Sequence, residues 1–166
     1  MGIARDISER KKTDEALRIA AAAFETNDAI MVTDSDANII RVNRAFLEIT
    51  GYSPEEVAGK NPCMMSSGRH DRDFYTQMWQ QLHQTGLWFG EIWDKRKNGE
   101  IYPKWVKIAA VKNECQETTH YVAIFSDLSE RKRSEEEIRN LAFYDTITKL
   151  PNRHLFLECF RAALSA

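Results

Sequence analysis

Cysteine and histidine offer the widest chemistry in this chain, yet their spacing builds no obvious reactive centre. Cys63, Cys115 and Cys159 stand 52 and 44 residues apart with no C-x-x-C. That indicates neither a disulfide framework nor a zinc site, and reduced thiols in a cytoplasmic setting are the plain reading. His70 follows the polar run Ser66-Ser67-Gly68-Arg69, and His83 falls on the rear of a helical stripe; both read as surface histidines. Spacing alone does not make Cys63 and His70 a nucleophile and its base. The basic runs Arg10-Lys11-Lys12 and Arg131-Lys132-Arg133 are followed at once by acidic residues, the signature of a solvated helix face. A net charge of −2 supplies no field for holding nucleic acid. No apolar run approaches the roughly 18 residues of a membrane span, no signal peptide is visible, and the longest candidate, Ile19 to Phe24, is mostly alanine.

The elements that must position any site follow from periodicity. Thr13 is placed to cap a helix bearing Leu17, Ala20, Ala21 and Phe24, ending near Asn27. Ala29 to Thr33 and Asn38 to Val42 read as short strands about the turn-rich Asp34-Ser35-Asp36. Asn43 caps a short helix that Gly51 closes, and Ser53-Pro54-Glu55-Glu56 is a capping box with proline at its first helical position. Residues 59–72 break into irregular or single-turn structure. Asp71 then caps an amphipathic helix whose stripe is Phe74, Tyr75, Met78, Trp79 and Leu82. Beyond Gly86 the period becomes two: Trp88 to Lys95 and Glu100 to Val111 flank Lys97-Asn98-Gly99, where the Asn-Gly pair predicts a type I′ turn with positive φ at both central residues. A third strand spans His120 to Ser126, and Ser129 is placed to cap a charged helix, Glu130 to Leu141, with a thin apolar seam of Leu128, Ile138 and Leu141. By pattern alone this is an α+β fold, a single mixed sheet with helices on one face.

Two segments repeat at a fixed offset. Arg5 to Arg18, RDISERKKTDEALR, aligns with Ser126 to Arg139, SDLSERKRSEEEIR, 121 residues on, with 7 of 14 positions identical. Self-similarity at one period marks a repeated module, so the chain reads as a slice of a longer, modular protein.

Asn43 to Pro62 (NRAFLEITGYSPEEVAGKNP), Trp88 to Trp105 (WFGEIWDKRKNGEIYPKW) and Phe125 to Lys132 (FSDLSERK) resemble three segments of the PAS domain: the stretch after its second strand, its central hairpin and its closing Asp-Ile-Thr motif. The resemblance covers about Ala16 to Arg133. It implies a five-stranded antiparallel sheet with short helices on one face, flanked by signalling helices. Glu114-Cys115-Gln116 stands where the family often has glycine. Leu141 to Phe160, LAFYDTITKLPNRHLFLECF, is similar to the opening of GGDEF domains, which condense two GTP molecules into cyclic di-GMP; Asp145, Thr148, Leu150, Asn152 and Arg153 match. The catalytic parts of that family lie further downstream, so no catalytic residue is assigned. The implied organisation is the tail of a preceding PAS-type module (1–15), a PAS domain (16–128), a signalling linker helix (129–142) and the truncated start of a GGDEF domain (143–166).

These resemblances imply a non-catalytic sensory module of a cyclic di-GMP signalling protein. Its output would be a diguanylate cyclase, GGDEF or GGDEF-EAL, in the same chain, and the parent could be membrane-tethered upstream. Diguanylate cyclases act in pairs, so a homodimer through Leu17, Phe24 and the linker seam is expected. Asp127 and Ser129 are the implied signal relay, fixing the junction between the last strand and the linker helix. The GKNP and W-x-G-E patterns also resemble flavin-binding PAS domains, which implies FAD contacts at Trp88, Asp94 and Asn61. Asp94 stands where those domains carry asparagine, and an ionised carboxylate accepts hydrogen bonds but donates none. Haem is not expected, because its ligand projects from an apolar wall and neither His70 nor His83 does so by sequence. A ligand-free structural spacer is the third reading.

Overall fold

The computed structural model of the chain describes residues 21–145, together with 15, 18, 19, 148, 150, 152 and 157. The expected Thr13 cap, Leu17, Arg153, Cys159 and the run 10–12 lie outside the described residues. The chain divides into two compact units between Asp127 and Leu128.

In the first unit, β1 (Ala29–Asp34) and β2 (Ile39–Val42) form a hairpin, followed by α1 (Arg44–Thr50), α2 (Pro54–Val57) and a 3₁₀ turn at Pro62–Met65. Then come α3 (Arg72–Thr85), β3 (Leu87–Lys95), β4 (Ile101–Lys112) and β5 (Thr118–Asp127). The five strands make one sheet in the order β2-β1-β5-β4-β3. Every pairing is antiparallel, so the mixed sheet read from pattern is corrected. The last strand inserts between the first hairpin and the second, so the first and last strands pair within the sheet.

Local chemistry accounts for the short elements. Asn43 is buried and uses all its polar capacity: its Oδ1 accepts from the Ile30 and Phe46 N–H groups (2.8 and 3.0 Å), and its Nδ2 donates to the Phe24 and Asp28 carbonyls (3.0 and 2.9 Å). One side chain therefore caps α1 and pins β1 to it. Gly51 closes α1 with φ 77°, the left-handed position that glycine takes without strain. Glu56 accepts from the Ser53 N–H at 2.8 Å, as the capping box predicts. Asp71 caps α3 by accepting from the Phe74 N–H at 2.9 Å. Met78 and Leu82 of α3 are buried, and Phe74, Tyr75 and Trp79 pack at the core margin. Phe46 meets Phe125 edge to face at 5.8 Å, and Trp79 meets Tyr121 at 5.2 Å.

The β3–β4 turn departs from expectation. Only Gly99 has positive φ there (90°), and Asn98 does not. The Gly99 N–H donates to the Arg96 carbonyl at 3.0 Å and the Arg96 N–H to Glu100 at 2.9 Å, so a turn over Arg96–Gly99 with glycine in the left-handed position replaces type I′. The register is Lys95↔Ile101, Asp94↔Tyr102 and Ile92↔Lys104. A two-residue turn at Asn98-Gly99 would instead pair Lys97 with Glu100, a slip of one residue, and such a slip exchanges the faces of a strand. At the β4–β5 turn, Gln116 takes φ 63° where the family often has glycine.

In the second unit, α4 (Ser129–Phe143) begins at Ser129, and Leu128 holds the capping position with no side-chain cap. The expectation that Ser129 caps this helix is therefore corrected: the helix starts one residue earlier than the Ser-x-x-Glu signal suggests. No residue of α4 is buried, as its thin seam predicts. Among the described residues, no helix is long and apolar enough to cross a membrane.

Candidate functional site

Alternation along β3, β4 and β5 turns Ile92, Asp94, Tyr102, Lys104, Val106, Tyr121, Ala123 and Phe125 toward the core. Against this face, α3 and the 3₁₀ turn leave a cavity of about 310 Å³, at the lower end of the roughly 300–1,000 Å³ of small-molecule sites. Met31, Met78, Trp79, Ile92, Val106 and Ile108 give it an apolar wall, and Thr33, Asn61, Ser66, Asp94 and Lys104 are its polar points.

The polar centre of that wall is an ion pair. Lys104 Nζ lies 2.5 Å from Asp94 Oδ2, with side chains only 6% and 9% exposed, and the same ammonium sits 4.2 Å over the Phe125 ring. Burying two charges costs several kcal/mol each before their attraction offsets it. Such a pair is weak support for stability, and its place on a cavity wall calls for a functional account.

Asp94 is held by the loop that follows the 3₁₀ turn. Ser66 forms a bridge with Asp94, the Ser67 hydroxyl donates to the Trp93 carbonyl, and the Trp93 N–H donates to His70 Nε2 at 2.9 Å. His70 also stacks on Phe74 at 4.1 Å. The expectation of a surface histidine at position 70 is corrected, because its ring is half-buried and its acceptor nitrogen is engaged by backbone. His83 is exposed.

Of the three residues implied for flavin, Asn61 and Asp94 line the cavity and Trp88 does not. Trp88 is buried, meets Phe74 edge to face at 6.0 Å and lies over Gly90, where an added Cβ would come within 2.9 Å of its ring. Asn61 Oδ1 accepts from the Cys63 N–H at 3.0 Å, capping the 3₁₀ turn. Lys104 escaped sequence reasoning. A lysine in an alternating strand reads as an outward residue, and the only available signal was its even spacing with the apolar Tyr102, Val106 and Ile108.

A second ion pair stands at the end of the same face. Arg96 Nη2 meets Asp127 Oδ2 at 2.5 Å, its Nη1 donates to the Ile49 carbonyl at the end of α1, and its Nε lies 3.2 Å from Glu100. The guanidinium lies 3.9 Å over the Tyr102 ring. Burial opposes its charge, but the hydrogen bond and charge of Asp127 outweigh this and hold its pKa above the usual value. Asp127, one of the two implied relay residues, thus contacts Arg96. Tyr102 between the two pairs is 1% exposed. Burial, and then the Asp94 charge, push its hydroxyl pKa far above the ordinary tyrosine value. Among the described residues no cluster of His, Cys, Asp and Glu could hold a metal.

The chain is similar to known proteins in keeping with this architecture. It is 38% identical over 112 residues to a nitrogen fixation regulatory protein of Klebsiella oxytoca, covering 68% of this chain and 23% of that protein. It is 26% identical over 168 residues to the cyclic di-GMP phosphodiesterase PdeR of Escherichia coli K12, covering 98% of this chain and 24% of that one. The chain thus spans about a quarter of the length of these curated relatives. The crystal structure of the PAS domain of a protein from Colwellia psychrerythraea superposes with a TM-score of 0.65 at 26% identity, over 70% of this chain and 99% of that one. A family model described as PAS domain matches residues 27–130, and with the antiparallel sheet, the helices over its inner face and the cavity between them, the chain belongs to the PAS domain family.

Proposed function

We propose that this chain is the sensory PAS module of a cyclic di-GMP signalling protein, passing the state of its cavity through α4 to a diguanylate cyclase output domain and supporting pairing of two chains. The observation that carries this reading is the Arg96–Asp127 pair. It joins the hairpin that bears the cavity's ion pair to the last residue of β5, two positions before α4 begins. Strain in the hairpin thereby reaches the strand from which the linker helix departs. The similarity to PdeR over nearly the whole chain supports the cyclic di-GMP setting. In the full-length protein, Asp127→Ala is expected to alter cyclic di-GMP output several-fold with GTP affinity near normal. Regulation that survives the substitution intact refutes the relay.

A second reading, a flavin-dependent redox or light sensor, is supported by one feature. The edge of an isoalloxazine presents both an N–H and carbonyl oxygens; Asp94 offers an acceptor and Lys104 a donor side by side, so the pair fits that edge where Asp94 alone would not. Bound flavin would supply the redox or photochemistry, while Asp94, Lys104 and Asn61 would orient it. Visible flavin absorption in the purified chain supports this reading, and a colourless chain that takes up no added FAD counts against it.

A further inference from the structure

Tyr102 lies between the two ion pairs and is the cross-strand partner of Asp94. Its ring carries the Arg96 guanidinium. Its hydroxyl is buried and has no hydrogen-bond partner among the described residues. Native proteins leave few such groups, and each asks for an explanation. The charged groups around it are already engaged: Asp94 holds Lys104, and Arg96 holds Asp127. The donor is thus spare, on the residue that faces Asp94 across the β3–β4 pair, and the present partner of Asp94 is a cavity-lining lysine on a flexible stem.

We propose that the Tyr102 hydroxyl is the reserve partner of Asp94, which makes Asp94–Lys104 an exchangeable pair. A ligand presenting an oxygen acceptor draws Lys104 toward the cavity, Asp94 accepts from Tyr102 instead, and the tyrosine ring moves against Arg96. The exchange keeps the carboxylate from being stranded in the core, where an unpaired charge is strongly disfavoured. It also converts ligand capture at Lys104 into a displacement at Arg96, the residue that holds Asp127. The ligand class that works this exchange is one bearing a carboxylate or carbonyl oxygen, since a pure donor would bind Asp94 and leave Lys104 in place. The device rests on the sensory reading above, but the exchange itself is measurable without ligand or output domain.

Lys104→Met imitates the departure of the lysine. In the otherwise unchanged chain, Tyr102→Phe removes a hydroxyl without a partner among the described residues, so the melting temperature should stay level or rise. In the Lys104→Met background the same change removes a hydrogen bond to Asp94, and the melting temperature should fall by about 3 °C or more. Amide resonances of Asp127 and Leu128 should shift in Lys104→Met and return toward their original positions in the double variant. Equal effects of Tyr102→Phe in both backgrounds, or resonances at 127 and 128 that ignore Lys104, would overturn the proposal. If neither Lys104→Met nor Lys104→Ala folds while Asp94→Asn/Lys104→Met does, Asp94 has no partner in reserve and the proposal fails equally. A cycle that behaves as expected in a protein whose output ignores Asp127 would leave this exchange standing and remove the sensory reading.

Discussion

Trp88 and Tyr102 show how much one side chain can decide in this core. Trp88 rests on Gly90 and Phe74 and not on the cavity. Trp88→Ala should therefore cost about 3–5 kcal/mol of stability without changing any visible spectrum. Gly90→Ala drives a methyl into the indole at 2.9 Å and should cost about 1–3 kcal/mol, most of which a smaller ring in Trp88→Phe/Gly90→Ala restores. Thermal unfolding of the unchanged chain, these three variants and Trp88→Phe alone checks both, and additive losses would place the clash elsewhere. Tyr102 predicts the alkaline limit. Its folded pKa is raised above the ordinary tyrosine value of about 10, first by burial, so the folded chain holds this proton more tightly than the unfolded chain. Stability is full below about pH 10 and declines as pH rises above it. Tyr102→Phe should flatten that decline in urea unfolding between neutral and alkaline pH; an unchanged slope would assign it to another group.

The two short helices over the sheet, α1 and α2, are too short to persist alone, and each is fixed by a bond to something distant in sequence. Asn43 ties α1 to β1 and to the segment before it. Arg96 and Lys97 tie the far end of α1 to the β3–β4 turn: the Lys97 N–H donates to Thr50 at 3.0 Å, and the Lys97 ammonium meets Glu56 at 2.6 Å. The hairpin turn is consequently a structural junction joining α1, α2 and β5. Asn43→Ala leaves two buried N–H groups and two carbonyls to find other partners, and a loss of about 3 kcal/mol is expected. It would be read as a lower urea midpoint at unchanged m-value; a loss under about 1 kcal/mol would mean that the backbone relaxes to satisfy itself.

At the scale of the whole molecule, α4 carries a thin apolar seam that the described residues leave exposed. Ile138 and Leu141 are 67% and 61% exposed on a helix with no buried residue. The pairing proposed for this protein would cover them. Ile138→Ser/Leu141→Ser should lower the mass measured by sedimentation from dimer to monomer while the sheet signal in far-ultraviolet circular dichroism persists. A chain that is monomeric before substitution, or dimeric after it, would move the pairing surface off this helix.

The elements were legible from residue order, because caps, periods and turn residues act over a few positions: Asn43, Ser53-Pro54 and Asp71 begin helices where their chemistry demands. It also carried the family, through motifs that are contiguous. It could not determine which polar side chains meet. Lys104 reaches Asp94 because the β3–β4 connection runs one residue longer than an Asn-Gly turn would make it, which sets even-numbered residues of both strands on the inner face. Arg96 reaches Asp127 across 31 positions, and the orphaned hydroxyl of Tyr102 exists only because both of its charged neighbours found closer partners. Register and burial are properties of the assembled sheet. The chemistry of this cavity was decided there, by a shift of one residue in a turn.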